Sequence, residues 1–204
     1  EKLRQNFIMD FILHGMIQPG KPVRDISITS DTSIEKIFEE LNQSGGFESK
    51  NLAEGLDILS TMISDKKCVR FLSFVAAVVS TGLRGIIKDM IKNNWFDVVI
   101  TTCGALDHDI ARYYSNYKEG SFTIDDRELT KQNMHRLGNV LVPLESYGPL
   151  IEKKVQAFLE EAYKEGIREI STADLTKIIG KHMGENSFLY WAYKNNVPEI
   201  GRAH

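Results

Sequence analysis

Residues 68–114 change their hydrophobic period from stretch to stretch, and this alternation constrains the fold more than any other feature of the chain. "CVRFLSF" is short and almost wholly apolar, as suits a strand covered on both faces. "AAVVSTGLRGIIKDMIKNN" follows and reads as one helix through Val79, Leu83, Ile86, Ile87 and Met90. "FDVVI" is again strand-like and "LDHDIARYY" again helical. Strand, helix, strand and helix in so short a span predict an α/β fold, with parallel strands joined by right-handed crossovers.

The flanks are mostly helical. Residues 1–30 read as an arm, since their apolar residues fall irregularly and "QPGKPVRD" interrupts them with two prolines and a glycine. "SDTSIEKIFEELNQSGG" then offers caps at Asp31, Thr32 and Ser33, an apolar stripe of Ile34, Ile37, Phe38 and Leu41, and a glycine pair to end it. A second helix is expected from Asn51 to about Ser64. Beyond the alternating region comes a polar insert, "SNYKEGSFTIDDRELTKQNMHR", then "LGNVLVP", a third strand or extended edge closed by Pro143. Three helices are predicted to finish the chain, over Tyr147–Glu165, Thr172–Met183 and Ser187–Asn196.

In open parallel sheets, ligands bind beyond the carboxyl ends of the strands, where loops lead into helix N-termini. Thr101 to Asp109 occupies such a place, and Gly104 would let the backbone turn close to a ligand. The turn before Ala76 and Ala77 is a second such place, so two neighbouring strand ends could hold one dinucleotide. No GxGxxG fingerprint is present, and a purely structural turn is the competing reading. Asp107, His108 and Asp109 cannot converge on one metal ion, because successive helical residues point about 100° apart. Both acids read as first-turn residues favoured by the helix dipole, Asp109 also pairing with Arg112. Cys103 is either a thiol activated near a helix start or inert packing. His14, His135 and His182 stand alone, as surface or capping residues.

A net charge of −3 argues against nucleic acid, whose phosphates require clustered Lys and Arg. Two cysteines without CxxC spacing signal neither zinc nor a disulfide scaffold, and fit a reducing cytoplasm. The most apolar stretch, "VRFLSFVAAVV", is well short of the ~20 residues that span a bilayer. Glu1 is not a methionine, so the natural N-terminus is expected to lie upstream.

Four segments in order, "GGFESKNLAEGLDIL", "FLSFVAAVVSTGLRGIIKDMIKNNWFDVVITTCGALDHDIAR", "MHRLGNVLVPLESYG" and "SFLYWAYKNNVP", resemble the N-terminal part of the deoxyhypusine synthase family, in particular its archaeal type. The resemblance implies a doubly wound, Rossmann-like parallel sheet with helices on both faces, truncated here and preceded by an N-terminal helical arm. Residues 31–198 would be an incomplete NAD-binding domain, and residues 199–204, "EIGRAH", a non-native tail.

The implied activity is NAD-dependent transfer of the aminobutyl group of spermidine to a lysine of the translation initiation factor 5A precursor, by a cytoplasmic homotetramer. A homospermidine synthase, or a non-catalytic short paralogue that partners a full-length subunit, is the alternative. By position, the resemblance assigns Ala76, Ala77, Val78, Val79 and Ser80 to one part of the NAD site and Thr102, Cys103 and Gly104 to another. His108 would touch both cofactor and substrate, and Asp107 would hold spermidine. No lysine here matches the family's catalytic one, so this chain alone is expected to be inactive.

Overall fold

The computed structural model describes residues 21–202. Residues 1–20 of the expected arm, including His14, and Ala203 and His204 of the expected tail lie outside the described residues. The chain divides into two units between Asp65 and Lys66.

In the first unit, helix α1 (Ile34–Ser44) starts where its caps predict. The Ser33 hydroxyl accepts the Lys36 amide at 3.2 Å, and the helix ends at Gly45, whose φ of 71° is the left-handed position glycine tolerates. Helix α2 (Phe47–Ser64) begins ahead of the expected Asn51 and packs on α1, with Ala53 buried. Residues 21–33 form a turn but no helix, so the described part of the arm is not helical. Pro22 and the β-branched Val23, Ile26, Ile28 and Thr29 disfavour one.

The second unit opens as the alternation predicts: β1 (Phe71–Phe74), α3 (Ala76–Val79), α4 (Arg84–Lys92), β2 (Val98–Thr102) and α5 (Cys103–Tyr114). β1 pairs in parallel with β2, Phe71 opposite Val98. A double hydrogen-bonded clamp sets that register. The Arg70 amide and guanidinium both donate to the Asp97 carboxylate, at 2.8 to 3.0 Å, and hold its pKa below the usual range. On the other side of β2, the sheet continues with β6 (Glu199–Arg202), also parallel, so four residues of the expected tail form a strand.

Three expectations are corrected. β1 is an edge strand, and Phe71 stays 57% exposed rather than covered on both faces. The helix expected after it is two helices. Ser80 and Thr81 hydroxyls bond back to the Ala77 and Val78 carbonyls, and Arg112 from α5 donates to the carbonyls of Val79 and Thr81, drawing these groups away from the helical ladder.

The third correction concerns "LGNVLVP". Its strand β5 (Val140–Pro143) leaves the parallel sheet and centres an antiparallel one, between β3 (Lys118–Glu119) and β4 (Met134–Leu137). The polar insert supplies those partners together with α6 (Asp126–Lys131). The β4–β5 hairpin turns at Gly138, φ 63°.

A 3₁₀ turn (Leu144–Ser146) leads into α7 (Gly148–Lys164), α8 (Thr172–Lys181) and α9 (Phe188–Lys194), close to the three predicted helices. Helices α4 and α9 end alike, at Lys92-Asn93-Asn94 and Lys194-Asn195-Asn196. The second asparagine of each is left-handed, φ 56° and 52°, and each stop turns the chain towards a strand. The Asn195 amide donates to the Ile91 and Lys92 carbonyls, so one helix end caps the other.

Val79, Ile91, Val99, Ala105, Ile110, Phe188 and Leu189 form the centre of the core, between the parallel sheet and its helices. The fold is thus mixed α/β, a small parallel sheet with helices plus a small antiparallel sheet. No helix among the described residues is long and apolar enough to cross a membrane.

Candidate functional site

Helix α5 springs directly from β2, with Thr102 extended at its N-cap. The Thr102 hydroxyl caps nothing: Oγ1 is buried and has no hydrogen-bond partner among the described residues. Gly104 is helical, not a turn residue as expected. A Cβ there would lie 3.1 Å from the Ala76 Cβ, so glycine lets α3 and α5 approach closely. The two expected cofactor segments, Ala76–Ser80 and Thr102–Gly104, are therefore neighbours at the carboxyl ends of β1 and β2. Within them, Val79 lies in the core and the Ser80 hydroxyl is engaged by the Ala77 carbonyl. Ala77 is exposed, and Ala76, Val78, Thr102, Cys103 and Gly104 are half-buried.

Because α5 begins at Cys103, Asp107 and His108 stand beyond its first turn, not in it. Both are packed against aromatic side chains. The Tyr147 hydroxyl lies 3.4 Å from Asp107 Oδ2, and burial pushes the Asp107 pKa up while this contact pulls it back. His108 is buried, with Nδ1 2.8 Å from the Tyr117 hydroxyl and its ring 5.1 Å from that of Tyr147. Burial and the nearby Arg112 charge lower its pKa, so the imidazole is neutral at pH 7. Burial also raises both phenols, Tyr147 to about 12 and Tyr117 well above the ordinary range. They remain protonated donors. With Tyr117 donating, His108 Nδ1 accepts and Nε2 carries the ring proton.

His108 and Tyr147 line a cavity of about 300 Å³, closed on the other side by the antiparallel sheet through His135, Arg136, Leu137 and Val142. Its wall is largely apolar, and the Arg136 charge is already paired with Asp126 at 2.7 Å. His135, expected to stand alone, joins His108 here because the β4–β5 hairpin folds over α5. A neutral imidazole and a phenol on the wall of such a cavity, with the Asp107 carboxyl against that phenol and Tyr117 against that imidazole, can hold an alkylamine and exchange one proton with it.

Asp109, two residues on, plays no part in that cavity. It is fully buried and receives Arg84 Nε at 2.6 Å, the Ser187 hydroxyl at 2.6 Å and the Leu189 amide at 3.1 Å. The expected Asp109–Arg112 pair does not form, because Arg112 is held by the Val79 and Thr81 carbonyls and Arg84 arrives from α4. Tyr117, Tyr147, Arg84 and Arg136 escaped the reading of single residues. Arg136 and Tyr147 do lie inside "RLGNVLVPLESYG"; Tyr117 and Arg84 reach α5 only through the tertiary fold.

Comparison with known proteins bears on this arrangement. The chain is 47% identical over 179 residues to a "Probable deoxyhypusine synthase" of Picrophilus torridus, and 46% identical over 180 residues to one of Thermoplasma acidophilum. These alignments cover 87% and 88% of this chain and 57% of each relative, so the chain spans little more than half the length of the curated relatives it matches. A solved structure from Entamoeba histolytica, described as "a putative deoxyhypusine synthase", shares the fold at a TM-score of 0.60 and 16% identity, over 88% of this chain and 61% of that one. A family model, "Deoxyhypusine synthase", matches residues 36–200, and the chain belongs to the deoxyhypusine synthase family.

Proposed function

We propose that this chain is the N-terminal part of an NAD-dependent deoxyhypusine synthase, which moves the aminobutyl group of spermidine to a lysine of the translation initiation factor 5A precursor. The observation that carries the proposal is His108 and Tyr147 on the wall of one cavity, with Asp107 held against Tyr147 and Tyr117 against His108, in the segments that most resemble the family. An alkylammonium ion needs a carboxylate to hold it, and Asp107, in contact with the cavity-lining Tyr147, is the acid that would do so. A bound ammonium would draw its raised pKa down again. His108, neutral and held by Tyr117, would offer Nε2 as a donor without adding charge that repels a cation.

The residues present fit the cofactor. The unpartnered Thr102 hydroxyl lies at the strand end beside α3, and the first α5 amides offer donors for phosphate oxygen. When bound, NAD would supply the acceptor for the hydride leaving spermidine. In the whole protein the parallel sheet would continue as a doubly wound domain, within a cytoplasmic homotetramer. Residues 31–198 would be the native domain sequence.

The test uses the full-length gene product with NAD, labelled spermidine, and either the factor 5A precursor or putrescine as acceptor. Label on the precursor, lost at least about a hundredfold in Asp107→Asn, is expected. Label passing to putrescine alone would establish homospermidine synthesis instead, and transfer to neither would overturn the proposal.

A further inference from the structure

We propose that the chain has a second binding site, an oxyanion site of phosphate type, in a separate cavity lined by Tyr117, which is hydrogen-bonded to His108 on the wall of the first. This cavity, about 450 Å³, is walled by Arg84, Lys88, Arg112 and Tyr117, with Asn116 and Asn186 at its rim. It is large enough for a phosphate carrying an organic substituent.

Its charge is unbalanced. Arg84 is paired with the buried Asp109, and Lys88 leans on the exposed Asp89 of its own helix at 3.2 Å. Arg112 has no carboxylate in ion-pair distance among the described residues; its guanidinium donates to two backbone carbonyls instead. Three cations thus share one buried carboxylate and one solvent-exposed one. Burial and the Arg84 charge both push the Arg112 pKa down, as expected where a guanidinium lacks a counterion.

The backbone adds to the field. The wall at the start of α4 carries Gly82 and Gly85, and nothing lies within 4 Å of where a Cβ would stand on either. The Leu83, Arg84 and Gly85 amides there are taken up by the Thr81 hydroxyl and the Thr81 and Gly82 carbonyls, so the helix start contributes only its partial positive charge, which favours an anion. The Arg112 guanidinium and the Lys88 ammonium lining that space match the oxygens of a phosphate group.

The site is joined to the candidate active site by shared groups. Tyr117 lines this cavity while hydrogen-bonded to His108, and Arg112 lies 5.9 Å from the Tyr117 ring centre. Asp109, which anchors Arg84, follows His108 on α5. An anion here would offset the Arg112 charge that lowers the His108 pKa, and so raise that pKa.

The experiment titrates the chain calorimetrically at constant ionic strength with inorganic phosphate and, in a second arm, with adenosine monophosphate. Saturable binding that Lys88→Gln weakens supports the site in either arm, while binding that Lys88→Gln leaves unchanged belongs to the strand-end cofactor site; the first arm identifies a free ion and the second a phosphate ester as the better ligand. Lys88→Gln, a partly exposed change, should weaken that binding about tenfold with an unaltered melting temperature. In the wild type, saturation should move the His108 imidazole NMR titration upward. No saturation in either arm, equal affinity in Lys88→Gln, or equal displacement by chloride would overturn the proposal. None of these outcomes bears on aminobutyl transfer, which is tested at Asp107.

Discussion

Asp109 and Glu199 are both buried carboxylates of the second unit, and their surroundings could hardly differ more. At the meeting of α4, α5 and α9, Asp109 collects a guanidinium, a hydroxyl and a backbone amide. At the start of β6, Glu199 is 2% exposed and neither carboxylate oxygen has a hydrogen-bond partner among the described residues. Burial, and then the Asp109 charge, push the Glu199 pKa up to about 8. Glu199 is therefore a neutral acid at pH 7; burial pushes the Asp109 pKa up as well, but there Arg84, the Ser187 hydroxyl and the Leu189 amide all pull it back. Desolvation acts in both places, and convergent donors oppose it in only one of them.

The largest effect that could break this contrast is at Asp109. Asp109→Ala, which strands Arg84 in the interior, should cost about 3–5 kcal/mol in urea unfolding of the chain. A loss below about 1 kcal/mol would mean that the network is ornamental. Glu199→Val should act in the opposite direction, stabilising by about 2 kcal/mol at pH 7, because it removes polar atoms that have no partner. Lost stability there would show that Glu199 has found one.

A pH series sharpens the same comparison. Below the ordinary glutamate value of 4.5, folded and unfolded chains both hold the Glu199 proton. Between 4.5 and about 8 the unfolded chain releases it and the folded chain does not, so this residue's contribution falls as pH rises, and levels off above. Glu199→Val should flatten that part of the stability profile relative to wild type. The smallest effect is expected at Asp107, which has one long contact to Tyr147: Asp107→Asn should leave unfolding within about 0.5 kcal/mol of wild type. A larger loss would move Asp107 from the cavity's chemistry to the scaffold's.

Much of the site could be located before any coordinates. The strand-end rule placed Thr102, Gly104, Asp107 and His108 near one another, and helix periodicity and caps located most helices to within a few residues. Local reading failed where the partner comes from far away in the chain. Arg112, three residues on, looks free to take Asp109, and a single helix through Ser80–Leu83 looks continuous. Arg112 reaching back to the Val79 and Thr81 carbonyls settles both at once, by breaking the helix and leaving Asp109 to Arg84. "LGNVLVP" reads as a strand in any sheet, and the insert that pairs with it carries too little apolar pattern to announce itself.

Short-range physics therefore accounts for the elements of this protein: the period of apolar residues, a serine before a helix and an asparagine or glycine after it act within a turn or two of the chain. Which carboxylate is paired, which meets a tyrosine hydroxyl and which is stranded depends on what folding brings within about 3 Å. Those distances join residues as far apart in the chain as Asp109 and Ser187, and no local pattern encodes them.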